Sequence, residues 1–265
     1  MRPIFVLLLL ALAVVACRKT ADQPSSAKLP VAHALQRDSL RGVYESLIKA
    51  KAGWMPTAQV VAQGKLYPVD EALLDTAFFV FRENLLKSVR AKDEFYLLEA
   101  TDQNIENGFG LDVGFRAFVE GWRLDKAKDS SEIWDKLKRV LAMGGVFDKN
   151  KTTFTAPYFT ATFPKSYDSE LFGVITGEGV RVRAAPSANS QILKTISYDV
   201  VQLLEFTSQQ ETINGEAFPW VKIKLPDGKE GFVFGKFFGG PSDASATFTR
   251  QADDTWKMTA FVGTQ

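Results

Sequence analysis

The chain has very little of two residue types on which much protein chemistry depends, since its 265 residues include one cysteine, Cys17, and one histidine, His33. A lone cysteine cannot form an intramolecular disulfide, and a zinc site of the usual kind needs several such ligands. A Cys–His peptidase needs both side chains in one site, and a serine hydrolase of the G-x-S-x-G type needs a motif that is absent here. The sequence therefore predicts no enzyme activity, no metal site and no cofactor.

Charge of either sign is not in excess, because 32 Lys and Arg residues stand against 31 Asp and Glu residues. Nucleic-acid-binding proteins carry a basic patch or a strongly basic balance. The sequence therefore predicts no nucleic-acid partner. The 21 phenylalanines, by contrast, provide enough apolar side chains for a substantial core.

The N-terminus carries an apolar run from Ile4 to Val15 that is too short for a membrane span, which needs roughly 20 residues. Its length is typical of a secretory signal peptide. The sequence Val14-Val15-Ala16-Cys17 resembles the lipobox of bacterial lipoproteins. The resemblance implies that residues 1–16 are removed and that Cys17 is lipidated, which makes the membrane a partner. An ordinary signal peptide with an incidental cysteine is the alternative.

Arg18 and Lys19 follow the cysteine, so the aspartate that retains enteric lipoproteins at the inner membrane is absent. The resemblance therefore implies a lipid-anchored protein of the cell envelope, at the outer membrane and facing the periplasm. Residues 17–38 are rich in polar and small side chains and are expected to form a flexible tether that includes His33.

Residues 39–168 carry apolar residues at intervals of three and four, which predict several helices. The expected helices are 40–51, one beginning at Asp70 and running past Val89, 115–122, and one capped at Asp129 that ends before Gly144. Short strands are expected at 95–100 and 152–163. The pattern predicts an α+β domain with helices on an antiparallel sheet.

Residues 240–265 alternate as a β-hairpin, with Trp256 and Met258 on one face. Because a lone two-stranded hairpin is marginally stable, we expect it to complete the sheet of the α+β domain. Packing of the hairpin on the preceding segment is the alternative.

The segment 169–239 has short alternating strands and frequent turns, which predict a small all-β barrel inserted before the C-terminal hairpin. Gly179-Val-Arg-Val-Arg-Ala-Ala-Pro186, Trp220-Val-Lys-Ile223 and Gly228-Lys-Glu-Gly-Phe-Val233 resemble the motifs of bacterial SH3 domains (SH3b). The resemblance implies a non-catalytic module that binds a cell-wall peptide of peptidoglycan or an envelope protein, or that serves as a spacer. Arg183, at the arginine of the family motif, is expected to brace the barrel.

Four aromatic residues of this barrel are the candidate ligand-binding residues, with core packing as the alternative for each: Tyr198, Trp220, Phe232 and Phe234. Trp220 is expected to be partly exposed, because it alternates with Val221, Ile223 and Leu225 along its strand. Phe232 stands where the family often has Trp or Tyr.

The flanking domain is similar to NTF2-like α+β domains. The similarity rests on a long helix ending near Lys92-Asp93, a Gly-rich stretch leading into Phe115 and Phe118, and a final strand with Trp256. Such folds can host a general base in an apolar cavity, and the resemblance makes Glu99 and Glu120 the candidates for that base. Small-molecule or lipid binding with weak hydrolase activity is therefore the alternative function.

Two patterns in the region 99–120 fall short of known motifs. Gly108, Gly110 and Gly114 lack the spacing of a dinucleotide-binding loop, and Asp102-x-Asn104-x-Glu106 lacks the later ligands of a calcium loop. Five carboxylates crowd this region and could in principle include a catalytic pair, although solvated side chains are the expected outcome: Glu99, Asp102, Glu106, Asp112 and Glu120.

Overall fold

The computed structural model describes residues 31–50, 55–108 and 113–263. Its helices are α1 (Val31–Ala50), α2 (Thr76–Ala91), α3 (Glu94–Glu99), α4 (Phe115–Gly121), α5 (Leu124–Ala127), α6 (Ile133–Ala142) and α7 (Tyr158–Thr162), with 3-10 turns at Glu71–Leu74, Lys128–Ser130 and Gly235–Phe237. Its strands are β1 (Val61–Ala62), β2 (Lys65–Leu66), β3 (Thr101–Asn107), β4 (Val146–Phe147), β5 (Thr153–Ala156), β6 (Phe172–Ile175), β7 (Val180–Arg183), β8 (Ile192–Ile196), β9 (Val200–Ile213), β10 (Glu216–Lys224), β11 (Glu230–Phe234), β12 (Phe238–Gly239), β13 (Ser245–Arg250) and β14 (Trp256–Val262).

The first sheet has five strands in the order β3-β14-β13-β5-β4, and all neighbours are antiparallel except β3 and β14. The helices α2 and α6 supply apolar faces to its core, in which Phe78 contacts Phe154, Phe248 and Trp256 with ring centroids 4.3 to 5.7 Å apart. The predicted α+β class with an antiparallel sheet region is confirmed. The C-terminal hairpin lies inside this sheet, because β14 pairs with β3 and β13 pairs with β5.

The second sheet has seven antiparallel strands in the order β12-β6-β9-β10-β11-β7-β8 and curls into a half-barrel. Its core is built from alternate residues of the strands, among them Val182, Val221, Ile223 and Val233, all of which are fully buried. These strands lie in the chain between β5 and β13 of the first sheet. The predicted all-β barrel is therefore present as an insertion between two neighbouring strands of the α+β sheet.

The helix starts follow from side-chain caps. Asp70 accepts a hydrogen bond from the backbone N–H of Ala72 and caps the 3-10 turn, whereas Asp75 accepts from Phe78 N and caps α2. The helix expected from Asp129 begins later, at Ile133, where the Ser131 hydroxyl accepts from the Ile133 N–H at 3.3 Å. The first helix begins at Val31, inside the segment assigned to the tether, because Ala32, Ala34 and Leu35 favour helix.

The strand predicted at 95–100 is wrong, since these residues form α3 and the strand β3 follows at Thr101. Asp93 caps this helix by accepting from Tyr96 N at 3.2 Å. Phe95 is 77% exposed while Leu97 is buried, so the apolar run does not form one face of a strand. The strand predicted at 152–163 is also shorter than expected. It ends at Ala156, because Pro157 has no N–H to donate to a sheet.

The two domains meet at a shared apolar cluster and at an isolated β-bridge between Lys65, in the two-stranded sheet of β1 and β2, and Asp199. The cluster consists of Leu66, Val69, Tyr158, Phe159, Val174 and Val200, all buried. Beside it, Leu66 N donates to Tyr198 O at 2.8 Å and Val200 N donates to Gly64 O at 2.9 Å. The ammonium of Lys65 lies 2.9 Å from the carboxylate of Asp199. The barrel is thus packed firmly on the α+β domain.

Among the described helices, none combines the length and the apolar character needed to cross a bilayer. The predicted signal peptide, Cys17, Arg18 and Lys19 lie outside the described residues, as does most of the predicted tether.

Candidate functional site

A groove of about 400 Å³ lies on the barrel beside β7, β10, β11 and the 3-10 turn at Gly235–Phe237. Its floor and walls include Glu178, Arg181, Ile213, Trp220, Phe234 and Phe237. Strand alternation explains the floor, because Trp220 and Phe234 are directly opposite each other on β10 and β11. Two of the four candidate aromatic residues are therefore brought together here.

Trp220 forms the deep part of the groove and is only 1% exposed, so the expected partial exposure is wrong. Both faces of β10 are covered: Val221 and Ile223 point into the barrel core, while Trp220 packs edge to face on Phe234 at 5.8 Å. The indole N–H of Trp220 donates to a carboxylate oxygen of Glu211 at 3.0 Å, and the same oxygen accepts from Ala188 N at 2.9 Å. The hydrogen bond to Glu211 holds the indole in place and satisfies its N–H donor.

The accessible part of the groove is provided by residues that the sequence did not single out. Phe237 is 36% exposed and forms a wall, and its ring lies 6.4 Å from that of Phe234. Arg181 and Glu178 are exposed on the rim, and neither pairs with an opposite charge in the described part of the chain. Phe237 escaped notice because it lies in a 3-10 turn, where no strand periodicity applies.

The other two candidates lie elsewhere. Phe232 is half-buried and faces Arg183 of β7 across the sheet, outside the groove lining. Tyr198 has a left-handed backbone with φ 60° and lies at the junction with the α+β domain, 5.2 Å from the ring of Tyr67. Neither residue lines the groove, although Arg183, which lies opposite Phe232, is one of its lining residues.

Arg183 and Gly231, both in the motifs that resemble SH3 domains, have structural roles, and Arg183 also lines the groove. A guanidinium nitrogen of Arg183 donates to Ser190 O at 2.6 Å and braces the loop between β7 and β8, as predicted. A side chain at Gly231 would place its Cβ 2.5 Å from Val182 and 2.9 Å from the Arg183 carbonyl oxygen. Glycine is thus required where β11 meets β7.

The interior of the α+β domain gives little support to a catalytic pocket, because rings and aliphatic side chains fill it. Glu99 is exposed at an open depression of about 430 Å³ between α2, α3 and the β13–β14 turn. Burial of the Tyr96 ring, aided by the negative charge of Glu99, raises the pKa of Tyr96. Glu120 is also exposed and pairs with Arg116 at 2.8 Å. Neither carboxylate lies in an apolar cavity.

The remaining carboxylates of this region are Asp102, Glu106 and Asp112. Asp102 and Glu106 lie on β3, and Asp102 accepts from Asn104 N at 2.7 Å, which is a local turn-like contact. Asp112 lies outside the described residues. Within the ranges that the structure describes, no three His, Cys, Asp or Glu side chains are close enough to hold a metal ion.

Comparison with protein families gives one match, in which residues 178–238 fit the model of the bacterial SH3 domain. No significant match was found among curated proteins or among solved structures. The matched range includes the whole groove, from Glu178 to Phe237. The inserted barrel is therefore a bacterial SH3 domain, which belongs to a class of domains that generally serve as binding modules.

Proposed function

We propose that this protein is an envelope lipoprotein, anchored through Cys17, whose SH3 domain binds a peptide of the cell wall in the groove of Phe234 and Phe237. The proposal combines the N-terminal sequence, which resembles that of exported lipoproteins, with the inserted binding module.

The groove carries the proposal. An aromatic wall that is accessible to solvent, beside a buried aromatic floor, is a typical peptide-binding surface. Arg181 on the rim is a cation without an ionic partner among the described residues, and Glu178 provides a carboxylate on the same rim. A short peptide with a carboxylate at Arg181 and an ammonium group at Glu178 is complementary in charge to this rim.

The lipid anchor rests on the N-terminal sequence alone. Acyl chains on Cys17 would hold the protein at the membrane, since each buried methylene contributes about 0.8 kcal/mol. The protein should therefore sediment with the membrane fraction. We expect it at the outer membrane, on the periplasmic face. We expect Cys17→Ser to move it to the soluble fraction, as judged by immunoblotting. Unchanged membrane association of this variant would contradict the anchor.

The binding proposal is tested with the full chain in mild detergent, mixed with insoluble peptidoglycan over a range of protein concentrations. We expect saturable binding that Phe237→Ala and Arg181→Glu each weaken by about tenfold, or about 1.4 kcal/mol. Raised salt should weaken the contribution of Arg181, because exposed charges are screened. Trp220→Ala is a poor test, since removal of a large buried ring costs about 3–5 kcal/mol and endangers the fold.

Matched controls come from the same domain. Leu204 is 38% exposed on β9, and Lys224 is an exposed cation on β10; neither lines the groove. Leu204→Ala and Lys224→Glu should leave binding unchanged. Equal losses in controls and groove variants would indicate non-specific adhesion. Absence of binding by the unaltered protein would contradict a cell-wall ligand and direct the search to an envelope protein partner.

A further inference from the structure

Arg139 belongs to α6 of the α+β domain, yet its side chain reaches the SH3 domain. One guanidinium nitrogen donates to the carbonyl oxygen of Phe238 at 2.9 Å and lies 3.4 Å from that of Gly235. The guanidinium carbon lies 4.9 Å from the centre of the Phe218 ring. A half-buried cation is thus used to join the two domains.

The two carbonyl groups contacted by Arg139 flank Phe237, the exposed wall of the groove. Gly235 opens the 3-10 turn that carries Phe237, and Phe238 follows it directly. The turn is also pressed against β10, because a Cβ at Gly235 would lie 2.5 Å from the Pro219 carbonyl oxygen. Arg139 therefore holds both ends of the segment on which the wall stands.

A chain of ring contacts leads from Arg139 to the groove floor. Phe218, which lies under the guanidinium, packs edge to face on Phe234 with centroids 5.6 Å apart. Phe234 in turn contacts Trp220 at 5.8 Å. Displacement of Phe218 would therefore shift Phe234, and with it the surface that a ligand meets.

The chemistry of arginine suits this position. Its planar guanidinium donates from the edge while its face stacks on an aromatic ring, whereas the ammonium of lysine offers no such plane. Burial lowers the pKa of Arg139, and the negative charges of Asp243 and Glu216 oppose this effect. An arginine remains charged in either case.

We propose that Arg139 is a positioning residue for the ligand groove, which lies in a different domain from its own helix. The proposal rests on the groove being the binding surface. In this arrangement the α+β domain sets the geometry of the SH3 domain's Phe237 wall and Phe234 floor.

The test compares Arg139→Met and Arg139→Lys with Lys138→Met in the full chain. Lys138 is the preceding residue and is exposed, and within the described ranges its ion pair is with Asp135 at 2.6 Å, so it is a matched control. Peptidoglycan affinity is measured where circular dichroism shows each variant to be folded. Labelling of the five tryptophans with 5-fluorotryptophan adds a readout of the groove itself, in which the Trp220 resonance is identified by its loss in Trp220→Phe.

We expect both Arg139 variants to bind about tenfold more weakly and to shift the Trp220 fluorine resonance, whereas Lys138→Met should do neither. A purely stabilising role would lower the urea midpoint and leave the affinity of the folded protein unchanged, and this result would overturn the proposal. If Arg139→Met does not fold, Arg139→Lys decides. If the unaltered protein does not bind peptidoglycan, the proposed ligand fails, but a shifted Trp220 resonance still supports positioning and an unshifted one overturns it.

Discussion

At the scale of single residues, Arg82 is the most deeply buried charged side chain in the described structure. Its side chain is 1% exposed and lies at 2.6 Å from a carboxylate oxygen of Asp70 and at 3.0 Å from Glu83. Asp70 also caps the 3-10 turn through Ala72 N. Because a buried charge that loses its partner bears its full desolvation penalty, Asp70 is coupled to the stability of α2.

We expect Asp70→Ala to lower the free energy of unfolding by about 3–5 kcal/mol, since it leaves a buried guanidinium short of one carboxylate. Asp70→Asn keeps an acceptor for Ala72 N and for Arg82 and should cost less. Urea unfolding monitored by circular dichroism measures both. Asp135→Ala removes the partner of exposed Lys138 and should cause no measurable change, because exposed pairs contribute little. Equal effects of Asp70→Ala and Asp135→Ala would show that burial of the Arg82 pair is unimportant.

The residues of the groove also show where reasoning from sequence ends. Trp220 and Phe234 could be nominated, because Trp220 opens one local motif and Phe234 directly follows another, in segments with strand spacing. Phe237 could not, since its exposure depends on the 3-10 turn, and Arg139 could not, since it is 96 residues away in sequence from Gly235. The wrong expectation for the exposure of Trp220 also arose because tertiary packing cannot be read from local spacing. Alternation shows which face a side chain is on but not what covers that face.

At the scale of elements, patterns with several turns were predicted well and short runs were not. The helix over 76–91 and the hairpin over 245–262 carry enough repeats of one period to be recognised. The run at 95–100 is too short for a period to be measured, and the decisive signal there is the Asp93 cap. The Asp93 cap is therefore the sequence signal that favours a helix at this site.

The C-terminal hairpin illustrates how an element finds its place. Its apolar residues Phe248, Met258 and Phe261 are fully buried in the α+β core, although the whole SH3 domain precedes them in the chain. The energy of burying such side chains outweighs the entropic cost of closing a long insertion, which grows only slowly with loop length. The expectation that the hairpin completes the larger sheet rested on the marginal stability of a lone two-stranded hairpin.

At the scale of the whole molecule, the insertion makes the SH3 domain part of one structure with the α+β domain. The insertion leaves the first sheet after β5 and returns to it at the neighbouring strand β13. These two chain connections do not by themselves hold the SH3 domain against the α+β domain. What holds the domains together is the buried cluster around Tyr158 and Phe159 and the contacts of Arg139. Interfaces of this apolar kind favour a fixed orientation over independent motion.

We therefore expect the two domains to unfold in one cooperative transition. Ile223 is fully buried in the SH3 core, and Ile223→Ala should cost about 2–5 kcal/mol and lower the melting temperature on the order of 10 °C. The informative probe is Trp256 in the other domain, observed by its 5-fluorotryptophan resonance. If the domains are coupled, the Trp256 transition moves down together with that of Trp220. If Trp256 melts at its original temperature while Trp220 melts early, the domains unfold independently, which would contradict one cooperative transition.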